Sequence, residues 1–163
     1  MKISKSNETK ILIDGGYEKG KYVTFVLITL HTLWYVVSIS TYYYQAEYKH
    51  DYEFDLYSLI GLIVNLFGVV MLSYVVSILG EYWTVKLMIA KEHPLIRHPL
   101  FEYIKHPNYY LNIIPELAGL AILCHAWVWL AIAGPIYLIF LYLRIKEENV
   151  AIKEELIDTR LVQ

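Results

Sequence analysis

RHPLFEYIKHPNYYLNIIPE, residues Arg97 to Glu116, is the stretch on which the fold turns. It stands between two long apolar segments and crowds His, Lys, Arg, Glu, Asn and Tyr into a loop and the mouth of the next helix. Pro94, Pro99 and Pro107 cannot all sit inside one helix, so the connector 81–108 must be broken. From Asn108 the pattern is helical and runs to about Cys124, with a kink expected at Pro115. Tyr109, Asn112, Glu116 and Gly119 are three, four and three residues apart, which puts them on one face.

The segments on either side set the class. Tyr22 to Tyr44 is a 23-residue apolar helix, long enough to span a bilayer, and ends in the run Tyr42-Tyr43-Tyr44 expected at the headgroup level. After an acidic loop over 45–55, a second apolar helix covers Leu56 to Leu79. His125-Ala126 reads as a tight turn into a fourth helix, Trp127 to Leu143, which continues as a polar helix through Glu155. With 57% apolar and 18% charged residues, the chain reads as an all-α integral membrane protein of about four transmembrane helices, with a polar connector and a C-terminal hairpin. The hairpin's first arm is short for a full span. One membrane domain is expected over 1–163: an N-terminal segment 1–21, the first two spans at 22–80, and a cofactor-binding part at 81–155.

Four crossings put the N-terminus, the connector and the C-terminal tail on one side. That side carries 13 of the 14 Lys and Arg, with only Lys49 opposite, so it is expected in the cytoplasm. Residues 1–21 lack the apolar core of a cleavable signal peptide, and are expected to be an amphipathic or irregular lead-in broken at Gly15-Gly16. Cys124, alone, can form neither an intrachain disulfide nor a Cys-based zinc site. No block of like charge suggests nucleic acid. His93, His98 and His106 are separated by prolines and lack paired ligand spacing, so no metal site is expected.

Arg144, Glu147 and Glu148 share a face at the polar end of the last helix. Antiparallel neighbours joined by a two-residue turn must pack together, which brings Tyr109 and Asn112 near Arg144 and Glu148. Taken alone, this grouping is also what a solvated helix end with local ion pairs would look like. His31, near Trp34, Tyr35 and Ser38, reads as a hydrogen-bonded interhelical group. Gly61, Asn65, Gly68 and Leu72 form a stripe suited to close helix packing.

Lys105-His106-Pro107-Asn108-Tyr109, a hydrophobic hairpin, and Arg144-x-x-Glu147-Glu148 closing it resemble the isoprenylcysteine carboxyl methyltransferase family, one of the membrane phospholipid methyltransferases. Gly15-Gly16-Tyr17-Glu18, Trp83-Thr84-Val85-Lys86 and His93-Pro94-Leu95 resemble the corresponding parts of its short bacterial members, so the likeness runs from about Ser6 to Ile152. The chain departs from the family pattern where Pro99-Leu100-Phe101-Glu102-Tyr103 replaces a Gly-Pro-Tyr-Arg-Tyr run, and where Lys105 stands for the usual Arg. Related chains usually carry another apolar helix ahead of the Gly-Gly segment.

The resemblance implies methyl transfer from S-adenosylmethionine to a lipid-like acceptor (carboxylate, hydroxyl or amine) at a site facing the cytoplasm, in a bacterial inner membrane. It implies cofactor contacts from His106, Tyr109 and Glu148; Lys105, Asn112 and Glu116 are also expected to bind the cofactor, and Arg144 and Glu147 to be catalytic. In this picture Arg144 orients or neutralises an anionic acceptor. Two other readings stand beside it: a non-catalytic membrane interaction protein of the same fold, and a nicotinamide-dependent lipid or sterol reductase.

Overall fold

The computed structural model describes residues 2–91 and 98–161, with side chains as far as Glu154. His93, Pro94 and Arg97 of the motif region lie outside the described residues. The elements in chain order are α1 (Lys2–Ile13), β1 (Tyr17–Lys19), α2 (Lys21–Tyr43), α3 (Leu56–Leu79), β2 (Leu87–Ile89), α4 (Pro99–Tyr103), α5 (Ile114–Leu123) and α6 (Trp127–Leu161).

Among the described residues, three helical segments are long and apolar enough to cross a membrane: Lys21–Lys49, Leu56–Tyr82 and Trp127–Glu154. The expected fourth is shorter. It consists of a π-helical turn, Asn108–Ile113, running directly into α5. Pro115, where a kink is expected, falls in the first turn of α5, directly after the wider π geometry. Outward-facing positions are apolar, for example Phe25, Val36, Ile63, Val70, Val128 and Ile139. Polar side chains are turned inward, with Thr24, Ser38, Ser58, Asn112, Glu116 and Arg144 all buried. This inverted distribution is that of a chain solvated by lipid.

α3 and α5 meet backbone to backbone. A Cβ on Gly119 would stand 2.3 Å from the Asn65 nitrogen, and one on Gly61 2.4 Å from the Leu123 nitrogen. Asn65 Nδ2 donates to the Glu116 carbonyl (2.8 Å), linking the two helices inside the bundle where water cannot do so. Trp34 of α2 donates its indole N–H to the Leu117 carbonyl (2.8 Å) and fixes α5 from the other side.

The helix ends follow from local chemistry. Asp55 caps α3, its Oδ1 accepting from Ser58 N at 2.8 Å. The turn between α5 and α6 closes with Ala126 N donating to Ala121 O (2.8 Å) and His125 at φ 50. Around that turn, Tyr52 OH donates to the Leu123 carbonyl (3.0 Å) and Ser58 Oγ meets His125 Nε2 (3.0 Å), so the 45–55 loop and the 124–126 turn share one end of the bundle.

The opposite end departs from the expectation in part. Of the two forms expected for residues 1–21, the helical one is present up to the Gly15-Gly16 break: α1 packs against the Gly80–Tyr82 turn and the Leu87–Ile89 segment, with Asn7 Nδ2 donating to the Gly80 and Trp83 carbonyls (3.0 and 2.8 Å). Gly15, at φ 87, turns the chain into β1, which pairs antiparallel with β2 in the register Tyr17–Ile89, Glu18–Met88, Lys19–Leu87. The chain therefore carries one two-stranded ribbon that apolar periodicity did not reveal. Three residues per strand give too short a period-two pattern to read. The ribbon joins the N-terminal segment to the connector, and a Lys19–Glu154 ion pair joins it to the tail of α6. The three segments expected to share a side do share this end.

Candidate active site

At the ribbon end, four segments deliver side chains to one corner. Pro107, with helical φ and ψ, starts the π turn directly after His106, and Tyr109 N bonds back to the His106 carbonyl (3.1 Å). His106 and Tyr109 are thus held with rings stacked, centroids 5.7 Å apart. From α6, one helical turn presents Arg144 and Glu148 to the same corner. Glu148 accepts from Tyr109 OH at 2.5 Å through one oxygen and lies 3.2 Å from His106 Nδ1 through the other. Arg144, only 5% exposed, donates to Tyr109 OH (3.3 Å), to the Val85 carbonyl (3.3 Å) and to Thr24 Oγ1.

The expected meeting of the His106–Tyr109 corner with the Arg144–Glu148 helix end is therefore present. Arg144 does more than the sequence suggested. Its guanidinium joins α6 to α2, to the π turn and to the segment leading into β2, with three of its five N–H groups committed to protein acceptors.

Glu147 points differently. Its carboxylate lies against Gly20, whose absent Cβ would stand 2.0 Å from Oε2. Gly20 adopts φ 64 at the start of α2, so two requirements, a left-handed turn and space for this carboxylate, fall on one glycine. Glu147 Oε2 is buried without a hydrogen-bond partner among the described residues, as are His106 Nε2 and Asn149 Oδ1. Lys105 is exposed, and no hydrogen bond or ion pair among the described residues ties it to the corner.

Asn112 and Glu116 share the Tyr109 face of the helix, but their partners lie elsewhere. Glu116, 8% exposed, accepts from Tyr35 OH of α2 through Oε1. The Asn112 amide, turned with its nitrogen inward, reaches Glu116 Oε2 (2.9 Å) and the Gly68 carbonyl (3.1 Å). His31 completes this interior group, its Nδ1 3.2 Å from Tyr137 OH and its ring stacked on Tyr35. The interhelical role read for His31 from sequence is what the structure has. One helix face thus serves two polar groups: Tyr109 turns to α6, and Glu116 to α2.

Thr24, Val85 and Gly20 were not singled out by sequence reasoning. The available signals were faint: a lone hydroxyl in the first turn of α2, four residues after a glycine, and a carbonyl, which carries no sequence signal.

Residues 59–154 match the model of the isoprenylcysteine carboxyl methyltransferase family, an interval that holds the whole corner except Gly20 and Thr24. The chain belongs to this family. It is 40% identical to an uncharacterized protein of Haemophilus influenzae over 151 residues, covering 93% of this chain and 85% of that one. It is 24% identical to the uncharacterized protein YpbQ of Bacillus subtilis, covering 94% and 88%. No solved structure gives a significant match. The family is one of membrane methyltransferases, and His106, Tyr109, Arg144 and Glu148 all lie within the matched interval.

Proposed function

We propose that the protein transfers a methyl group from S-adenosylmethionine to a lipophilic acceptor, at the membrane face where the ribbon lies. The observation that carries this reading is a pair of buried polar atoms without a partner among the described residues, His106 Nε2 and Glu147 Oε2. His106 meets Glu148 through Nδ1, which leaves Nε2 for a ligand. Glu147 adds a carboxylate oxygen, and the corner carries two carboxylates against one guanidinium. Such a site suits a ligand with a sulfonium, an ammonium and ribose hydroxyls.

When bound, S-adenosylmethionine supplies an electrophilic methyl on positively charged sulfur, which an acceptor displaces in line. The protein's share is alignment and exclusion of water. His106 Nε2 and Glu147 Oε2 would hold cofactor hydroxyls or the ammonium, and the stacked His106 and Tyr109 rings offer faces that would suit a sulfonium. Glu148, fixed by two donors, keeps both rings in place. Arg144 is a positioning residue in this scheme, because most of its hydrogen bonding is spent on the protein. Asn112 and Glu116 are assigned to the interior group rather than to the cofactor. Lys105 remains a candidate for the cofactor's carboxylate from the aqueous side.

The concentration of 13 of 14 Lys and Arg on the ribbon side supports a cytoplasmic site in a bacterial inner membrane. Isothermal titration of the purified protein with S-adenosylhomocysteine tests the proposal. Saturable binding, weakened in His106→Ala and Glu147→Gln, is expected. Absence of binding at millimolar ligand would overturn it.

A further inference from the structure

α1 is mounted on the bundle with its polar hydrogen-bonding side inward. Its buried residues are Ser4, Asn7 and Ile11. Asn7 is spent on the Gly80 and Trp83 carbonyls, and Ser4 Oγ accepts from Val85 N (3.0 Å). Glu8, the one acidic residue of the helix, turns the same way, accepting from Ser4 Oγ (2.7 Å) and lying 3.6 Å from Lys86 Nζ.

The outer face has the opposite character. Lys2, Lys5, Ser6, Thr9, Lys10 and Ile13 share it by helical spacing, and all are exposed. Lys2 and Lys5 have no ion pair among the described residues, whereas Lys10 pairs with Glu81 and still stands mostly in the open. Two acids adjoin the face, Glu81 and Asp14 in the turn that follows, against three lysines. Ile3 and Leu12 flank it, and Ile13 at its end is 78% exposed. The level of the helix is set by its neighbours. α1 packs on the Gly80–Tyr82 turn, which ends the Leu56–Tyr82 span, and leads through β1 to Lys21, which begins the Lys21–Lys49 span. It therefore lies where two spans leave the bilayer at one face. Its 12 residues reach about 18 Å, too short to cross.

We propose that the outer face of α1 binds the headgroups of anionic phospholipids, with Lys2 and Lys5 on the phosphates, Lys10 adding to them, and Ile3, Leu12 and Ile13 set between the headgroups. Charge complementarity names the occupant. The helix sends its glutamate to the protein and its lysines away from it, a division that packing on the Gly80–Tyr82 turn does not require. Lysine suits this level, because its stem lies along apolar surface while the ammonium reaches a phosphate. Exposed aliphatic side chains beside lysines are the composition of a helix that rests in the interface. A zwitterionic surface offers the same apolar contact without the net charge. This binding does not depend on the methyl-transfer reading.

The test titrates the full chain, in a neutral detergent, with phosphatidylglycerol or phosphatidylcholine and reads the bound lipid by native mass spectrometry. The first phosphatidylglycerol should bind at least about fivefold more tightly than the first phosphatidylcholine, the worth of one lysine at an anionic surface. The preference should shrink as salt is raised. Lys2→Gln, Lys5→Gln and Lys10→Gln together should remove most of it, whereas arginine at the same three positions should keep it. Lys49→Gln, on the loop at the other end of the bundle, should keep it too. A second measurement leaves the lysines unaltered. A nitroxide on Ser6→Cys, in bilayers containing phosphatidylglycerol, should be relaxed more by oxygen than by a water-soluble nickel chelate; Cys124 is buried and leaves the label at one site. A preference that survives intact in the triple glutamine variant, or a Ser6 label relaxed mainly by the nickel chelate, would overturn the proposal.

Discussion

The same change, glycine to alanine, should cost far more at one position on the hairpin than at another. A Cβ on Gly119 would lie 2.3 Å from the Asn65 nitrogen, 2.7 Å from the Gly61 carbonyl oxygen and 2.8 Å from the Asn65 Cα. All three are backbone atoms of α3, so no side chain can swing away. Relief to an ordinary contact of about 3.5 Å requires α3 and α5 to part by roughly 1 Å. Overpacking of this kind costs about 1–3 kcal/mol, and the parting also stretches the 2.8 Å bond from Asn65 to the Glu116 carbonyl, worth about 1 kcal/mol. Gly119→Ala should therefore destabilise the protein by roughly 2–4 kcal/mol. At Gly134 the nearest atoms other than its chain neighbours are 3.8 and 4.0 Å away, so alanine overpacks no other element, and the adjoining Pro135, which disfavours a Cβ before it in a helix, offsets the helix-propensity gain of about 0.5–1 kcal/mol and leaves the change near neutral. Equilibrium unfolding in mixed detergent, followed by tryptophan fluorescence, measures both. Trp34 is a local reporter, because its indole is bonded to Leu117, two residues from Gly119. Equal effects at the two sites, or a neutral Gly119→Ala, would refute backbone contact between α3 and α5.

Three further outcomes follow from the geometry. Arg144→Gln should cost about 3–5 kcal/mol, because it leaves Tyr109, Thr24 and Val85 without their buried donor; Arg144→Lys should rescue little, since one ammonium cannot reach three directions, and thermal unfolding in detergent checks both. Glu148→Gln should weaken S-adenosylhomocysteine binding about tenfold through loss of the charge that holds His106 and Tyr109, while Lys105→Ala, at an exposed side chain, should change it much less; titration calorimetry compares them. At the other end, Asp55 is held below the usual carboxylate range, chiefly by the Ser58 backbone N–H, with Ser58 Oγ and His125 adding to it. A depressed folded-state value gives stability that is present above the ordinary Asp pKa and lost as pH falls through the folded one. Asp55→Asn keeps the cap but should flatten the fall in unfolding temperature below about pH 4.

The membrane-spanning elements were legible because length and apolarity alone specify them. The span from about Leu56 to Leu79 is one of them, bounded by the capping Asp55 and by Gly80 at φ 53. The Gly61, Asn65 and Gly68 stripe was legible for the same kind of reason, since small residues on one face have few other uses in a span. The ribbon was not legible. Its six residues are chosen by pairing between segments about seventy positions apart, and that pairing depends on a Gly15-Gly16 turn and on α1 packed beneath. Pro115 announces a missing N–H in the sequence, not the means by which the chain accommodates it. Here the π turn ahead of it accommodates the proline and also sets Tyr109 and Asn112 inward.

Spacing by three and four put Tyr109, Asn112 and Glu116 on one face but could not say which neighbour that face meets along its length. α5 passes α6 at its start and α2 farther on, so Tyr109 bonds Glu148 and Arg144 while Glu116 bonds Tyr35. Face periodicity therefore merged the corner with the interior group. The same logic explains why Arg144 matters structurally. A guanidinium buried at the membrane end is tolerable only if several acceptors surround it, and those come from α2, the connector and the π turn at once. The corner can then form only when the ribbon, the hairpin and the first span are all in place. A variant that severs the ribbon, such as Gly16→Val, whose Cβ would stand 2.5 Å from the Ile89 carbonyl oxygen, should loosen Val85 and lower S-adenosylhomocysteine affinity without touching any residue of the corner. Unchanged affinity in a Gly16→Val protein that unfolds at a lower temperature would show instead that the corner assembles independently of the ribbon.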